Sequence, residues 1–163
     1  MSGLIPEETF ALVGELLDEP MTSTITAKES QRFALAAGDM NPIYFDESAA
    51  REAGYRGVVV PPIFLAWALA PYRPLDELRE DGLYTARGKR VALRVKRVMF
   101  ASDEWEYLAP VYAGDTVTAT VRLESLEEKQ GSSGPFVLQT TETRYTNQHG
   151  VLGAHARGRS IAR

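Results

Sequence analysis

Apolar residues change their spacing near the middle of this 163-residue chain. In the first half they recur at helical intervals. Phe10, Val13, Leu16 and Leu17 mark a short amphipathic opening helix that Pro20 ends, and a short strand is expected over 21–25. Thr26-Ala27-Lys28-Glu29 forms a capping box. The next helix therefore runs over 27–37, with Phe33, Ala34 and Ala37 facing inward and Gly38 as its terminator. Asp46 starts another over 47–53, closed by Gly54.

The stretch Ile63-Phe64-Leu65-Ala66-Trp67-Ala68-Leu69-Ala70 has no polar face. Pro62 sits where a helix start tolerates proline, and Pro71 stops continuation. A helix apolar all round needs enclosure on every side, and a curved sheet is the expected enclosure. Strand periodicity supplies that sheet. Val91, Leu93 and Val95 alternate with Ala92, Arg94 and Lys96, and Val117, Ala119, Val121 and Leu123 alternate with Thr118, Thr120, Arg122 and Glu124. Two further strands are expected over 135–146 and 151–161. Gly131-Ser132-Ser133-Gly134 and Asn147-Gln148-His149-Gly150 are the hairpin turns between these strands. Helices first and strands later predict an α+β fold, and the length suits one domain.

Composition narrows the function. With 18 basic and 22 acidic side chains the net charge is −4, which speaks against a general nucleic-acid binder. Cysteine is absent, so disulfides, thiolate nucleophiles and cysteine zinc sites are excluded, and a reducing cytoplasmic setting is expected. Two histidines, His149 and His155, do not make a multi-histidine metal site. The start of the chain lacks the pattern of a signal peptide. The longest uncharged run, residues 57–72, holds three prolines and falls short of the ~20 residues of a membrane span. No nucleic acid, membrane or metal partner is expected.

Chemistry enters with Phe33-Ala34-Leu35-Ala36-Ala37-Gly38-Asp39-Met40-Asn41-Pro42-Ile43-Tyr44. This stretch resembles the signature of MaoC-like (R)-specific enoyl-CoA hydratases, Gly-Asp-x-Asn-Pro followed by an apolar residue and His. The continuation through Phe45-Asp46-Glu47, Gly54-Tyr55-Arg56-Gly57 and Val60-Pro61-Pro62-Ile63-Phe64 looks most like the FAS1-like dehydratase, or MaoC N-terminal domain, subgroup. Pro110-Val111-Tyr112-Ala113-Gly114-Asp115 is similar to a turn of the same family.

The resemblance implies a single hot-dog domain over 1–163, a curved antiparallel sheet wrapped around a buried central helix. It implies acyl thioesters of coenzyme A or acyl carrier protein as substrates, with no cofactor beyond the coenzyme A of the substrate. It also implies a site shared between two hot-dog units, in a homodimer or a heterodimer with a second MaoC-like subunit. Carried over by position, Asp39 and residue 44 hold the water and Asn41 is the motif amide. The helix start at Pro62 and Ile63 offers an oxyanion donor through the Ile63 amide, and Phe64 lies on the helix that lines an acyl pocket. The basic run Arg87, Lys89, Arg90, Arg94, Lys96 and Arg97 contains no acidic residue and attracts coenzyme A phosphates or an acidic carrier, unless it is a solvated strand face. Pro71 and Pro74 shorten the central helix and leave room for a bulky acyl chain.

Position 44 departs from the family: it is Tyr, not His. A phenol with pKa about 10 donates a hydrogen bond but is a poor base at neutral pH, whereas histidine does both. Two readings follow. The chain is a hydratase or dehydratase working with an Asp39–Tyr44 pair, or it is a non-catalytic partner that shapes the acyl groove for a subunit carrying Asp and His. Thioesterase chemistry is a third reading on the same fold. Each residue also has a plainer role: Asp39 in a turn, Asn41 capping a loop, Tyr44 in a core.

Overall fold

The computed structural model describes residues 3–70, 74–78, 80, 82 and 88–163. Five strands, β1 (Met21–Thr24), β2 (Val98–Tyr107), β3 (Thr116–Gly131), β4 (Gly134–Asn147) and β5 (Leu152–Ala162), form one sheet in the order β1-β3-β4-β5-β2. Every pairing is antiparallel. The two expected turns set the register. Gly131 pairs with Gly134 across Ser132-Ser133, and Asn147 Oδ1 accepts the His149 and Val151 amides at 3.0 Å each to close the second. Alternation places Val117, Ala119 and Leu123 of β3 in the core. A register shift between Leu123 and Ser125 then lets Leu126 face inward as well.

Three helices accompany the sheet, and Phe33 of the first and Phe64 and Leu65 of the third share its core. In α1 (Ala27–Ala37) Thr26 Oγ1 accepts the Glu29 amide, and Gly38 closes the helix at φ +72°. In α2 (Glu47–Glu52) Asp46 Oδ1 accepts the Ser48 and Ala49 amides at 2.7 and 3.0 Å. These caps follow the sequence reading. The inward stripe of α1 sits a turn earlier than expected: Ser30 and Ala34 are buried, Phe33 is half-buried, and Ala37 projects past the packed body into solvent.

Three expectations need correction. The central helix, α3 (Phe64–Ala68), is five residues long and is enclosed on one side only. Phe64, Leu65 and Leu69 pack on Ile25, Val111, Val117, Tyr145 and Ala156, while Ile63 and Trp67 are 45% and 56% exposed. A single sheet wraps one side of a helix, so the opposite side of the apolar run stays open. The opening segment is a 3-10 helix, Glu7–Leu12, with Phe10 and Val13 exposed. Its continuation bonds to β3 instead of coiling: Gly14 and Leu17 donate to Leu123 and Val121, and Leu123 donates to Glu15.

The third correction concerns residues 91–96, which form no strand and lie outside the sheet. Val91, Leu93 and Val95 do face a core, built on Ile5, Leu123, Leu126, Val137 and Ala162. Their backbone partners come from the N-terminal segment, however: the Arg94 amide donates to Leu4 and the Ala92 carbonyl accepts from Thr9 Oγ1. The strand that enters the sheet is the next one, β2. Pro71 and Arg87 lie outside the described residues. No helix among the described residues is long and apolar enough to cross a membrane.

Candidate active site

The left-handed glycine at the end of α1 turns the chain so that Asp39 follows immediately, its amide donating to Ala34 at 3.0 Å. Two side-chain turns then succeed each other. Asp39 Oδ1 accepts the Asn41 amide at 3.2 Å, and Asn41 Oδ1 accepts the Ile43 amide at 3.3 Å. Asn41 thus caps the 3-10 turn Pro42–Tyr44, which drives Tyr44 inward against Ala34 and Val59. The turn also sets the Tyr44 phenol near the Asp39 carboxylate. Burial first, then the Asp39 charge, push the Tyr44 phenol above its ordinary pKa. Tyr44 therefore stays protonated and donates, and Asp39 remains exposed with acceptor capacity to spare.

Tyr44 opens onto a cleft of about 270 Å³. One wall comes from Ile43, Tyr44, Tyr55, Pro62 and Leu65, and the other from Tyr107 through Val111 at the end of β2. The phenols of Tyr44, Tyr55 and Tyr107 are the side-chain polar groups of an otherwise apolar lining. Burial also raises the pKa of Tyr107, which keeps that phenol a donor. Gly153 lets the walls approach, because a Cβ there would lie 2.6 Å from Val111 Cγ2.

The structure therefore brings Asp39 and Tyr44 together and puts Pro62 in the cleft wall, with Ile63 exposed beside it at the start of α3. Phe64 does not reach the cleft: it is buried in the core, edge-on to Phe33 at 5.4 Å between ring centres. Arg94 and Lys96 also stand apart from it. β2 runs from Val98 beside Ala162 to Tyr107 beside Ala154, so they lie about 30 Å or more from their own chain's cleft at ~3.3 Å per residue. Arg94 is engaged locally, Nη1 donating to the Gly3 carbonyl at 2.6 Å. His149 is exposed in a turn, and His155 sits 3.0 Å from Glu142 and 3.8 Å from Glu106 on the outer face.

Tyr55 and Tyr107 were not singled out by sequence. Tyr55 lies within a quoted motif, but Tyr107 belongs to a strand that periodicity missed. A second motif carboxylate, Asp115, is buried and multiply bonded. It accepts from the Tyr112 amide (3.0 Å), Arg56 (2.6 Å) and Gln148 (3.2 Å), and the Arg56 guanidinium also covers the Tyr112 ring at 4.1 Å. Burial alone would raise its pKa. The Tyr112 amide, the Arg56 and Gln148 hydrogen bonds and the Arg56 charge outweigh that, and Asp115 is held below the usual carboxylate value. No cluster of metal-binding side chains occurs among the described residues.

Comparison with known proteins agrees with this layout. A UPF0336 protein of Streptomyces avermitilis is 32% identical over 102 residues, covering 63% of this chain and 62% of the relative. A protein of Thermomonospora curvata named as a probable enoyl-CoA hydratase alpha subunit is 28% identical over 168 residues, covering 93% of this chain. The chain spans about half of that relative's length, 49%. Among solved structures, the ChsH1-ChsH2 complex from Mycobacterium tuberculosis superposes with TM-score 0.70 at 20% identity, covering 96% of each chain. The (R)-hydratase from A. caviae superposes with TM-score 0.62 at 22% identity, covering 90% of this chain and 95% of that one. The five-stranded curved sheet is thus the hot-dog fold of these structures. Residues 11–155 match the FAS1-like dehydratase domain region, and the chain belongs to that family.

Proposed function

We propose that this chain is a hydratase or dehydratase subunit acting on an enoyl or 3-hydroxyacyl thioester of coenzyme A or acyl carrier protein. The observation that carries this reading is the Asp39–Tyr44 pair at the edge of an apolar cleft. Hydration needs a base for water, a donor for the developing enolate oxygen and an acid for the α-carbon. Asp39 takes the proton from water as the water oxygen bonds to the β-carbon. The electron pair of the C=C bond moves toward the thioester oxygen, where the amide of Ile63 at the start of α3 donates. Tyr44, kept protonated, stands beside the Asp39 carboxylate and protonates the α-carbon; the proton that Asp39 took from water then passes to the Tyr44 phenolate, leaving a 3-hydroxyacyl thioester and both groups restored. Dehydration is the reverse. Asn41 acts through the turn it caps. The apolar walls accept the acyl chain, and the open side of α3 leaves space for a bulky one.

The test is hydration of a short and a bulky enoyl-CoA by the purified chain, with Asp39→Asn beside it. Turnover that disappears in the variant supports the assignment, and unchanged turnover removes it. A second reading is favoured by Tyr44 itself, since a phenol with a raised pKa does not serve as a base at neutral pH. In that reading the chain is the non-catalytic half of a pair, and its mate supplies Asp and His. Activity of a mixed complex that survives Asp39→Asn but not loss of the mate's residues supports it.

A further inference from the structure

The cleft and its edge offer hydroxyl acids and one carboxylate base, an inventory that suits a reaction using no water. Among the described residues the lining contains no carboxylate, amine or imidazole. Its side-chain polar groups are the phenols of Tyr44, Tyr55 and Tyr107, set among apolar residues such as Val60, Leu65 and Leu108. Burial raises the pKa of Tyr44 and of Tyr107, so both remain hydroxyls at neutral pH. The base is the exposed Asp39, placed by a double turn in which it accepts the Asn41 amide at 3.2 Å and Asn41 accepts the Ile43 amide at 3.3 Å. The same turn ends on Tyr44. At the start of α3, Pro61 and Pro62 have no N–H, and the Phe64 amide is spent on the Pro61 carbonyl at 3.0 Å. The Ile63 amide is left for a substrate oxygen. A nucleophilic water needs its protons accepted and a lone pair free, and a phenol that donates to it occupies a lone pair. It also needs about 2–4 polar partners to hold it, which apolar walls do not supply. A C–H bond has neither need. One carboxylate base, a protonated phenol and an apolar pocket are the parts that move a proton between two carbons near a carbonyl.

We propose that this site also shifts a double bond, interconverting 2-enoyl and 3-enoyl thioesters with Asp39 as the base and Tyr44 as the acid. The proposal rests on the thioester reading above and adds a second reaction to it. Asp39 removes a proton from the γ-carbon. The electron pair of that C–H bond becomes the new double bond between the β- and γ-carbons. The pair of the old double bond moves toward the thioester oxygen, where the Ile63 amide donates. As the charge returns, the α-carbon takes the Tyr44 proton. The proton on Asp39 then passes to the Tyr44 phenolate, and both groups are restored. The product is an isomer of the substrate, so no oxidant, reductant or co-reactant is consumed. Position 44 separates the two chemistries: a histidine there accepts a proton from water, and a phenol gives one to carbon.

The test is proton exchange at the γ-carbon, a position that hydration never touches. The purified chain is incubated with hex-2-enoyl-CoA in deuterated water and followed by NMR, with hydration read from the same spectra. Deuterium is expected to enter the γ-carbon. Its rate is expected to fall by about 10²-fold or more in Asp39→Asn, and likewise in Tyr44→Phe, which keeps the packed ring. Tyr44→His brings in a base and is expected to shift the ratio of exchange to hydration toward hydration by about tenfold or more. Hydration without exchange at the γ-carbon overturns this proposal and leaves the hydratase reading standing. Exchange that all three variants leave unchanged overturns it as well, because the proton then moves through other groups. Silence in both reactions overturns it, and if calorimetry then finds no binding of hex-2-enoyl-CoA, the thioester reading falls with it.

Discussion

Two glycine–aspartate turns lie in this molecule, and they have opposite fates. Gly38 and Gly114 both take positive φ, +72° and +95°, and each hands the chain to a carboxylate. Asp115 is 2% exposed and its oxygens are committed to Tyr112, Arg56 and Gln148. It ties the entrance of β3 to the loop before α3 and to the β4–β5 turn. Asp39 is exposed, bonded to one backbone amide and close enough to the Tyr44 phenol for its charge to act on it. The difference is one of spare capacity. A saturated, buried carboxylate serves the fold, and an exposed one held in place with acceptor sites left over serves a ligand.

The sharpest way to break this comparison is Asp39→Asn. Turnover of an enoyl-CoA is expected to fall on the order of 10²–10⁴-fold, while urea unfolding shifts by less than about 0.5 kcal/mol. A stability loss there as large as at Asp115 would erase the distinction. Asp115→Ala is expected to cost about 2–3 kcal/mol in urea unfolding, because it leaves the part-buried Tyr112 amide unpaired and releases two loops. Arg56, more than half exposed, contributes less than that to the pair. The acid limb carries the same signature. With a folded-state pKa below the ordinary 3.8, Asp115 gives stability that is present above that value and lost as pH falls through the lower one. Asp115→Asn should therefore flatten acid unfolding.

A smaller effect is expected from Tyr44→Phe. Removing the hydroxyl takes away a donor and leaves the ring packed, so turnover falls while stability changes by less than about 1 kcal/mol. Smallest is the alkaline limb. Burial pushes Tyr145 from 10.0 to about 12, so its contribution is complete below pH 10 and lost as pH rises toward the folded value. Less than about 1 kcal/mol of loss from this residue is expected by pH ~10.5, and Tyr145→Phe should remove it.

Local signals were the readable ones. Thr26, Gly38 and Asp46 act within four residues of themselves, so their caps and the turn holding Asp39, Asn41 and Tyr44 could be inferred from the chain alone. The alternation of Val91, Leu93 and Val95 correctly marked a face against apolar neighbours. Alternation reports burial and not hydrogen-bond partners, so it misplaced the strand. β2 escaped notice because an edge strand need not alternate, and Ser102-Asp103-Glu104 interrupts its apolar pattern. Tyr107 and Gly153 reach the cleft through that unrecognised pairing. The exposed side of α3 reflects how far one sheet can wrap, which no local pattern encodes.

The position of β5 between β4 and β2 has a kinetic consequence. β3, β4 and β5 are joined by short hairpins and can zip as they form, but β2 precedes all three in the chain and pairs only with the last. Val98 therefore leaves the ribosome roughly 50 residues before Leu152, and at ~5–20 residues per second the strand bearing Phe100 waits for several seconds without a neighbour. During that interval the nascent chain offers an unpaired apolar strand. Chaperone demand, and loss to aggregation when β5 is delayed or truncated, should centre on that strand.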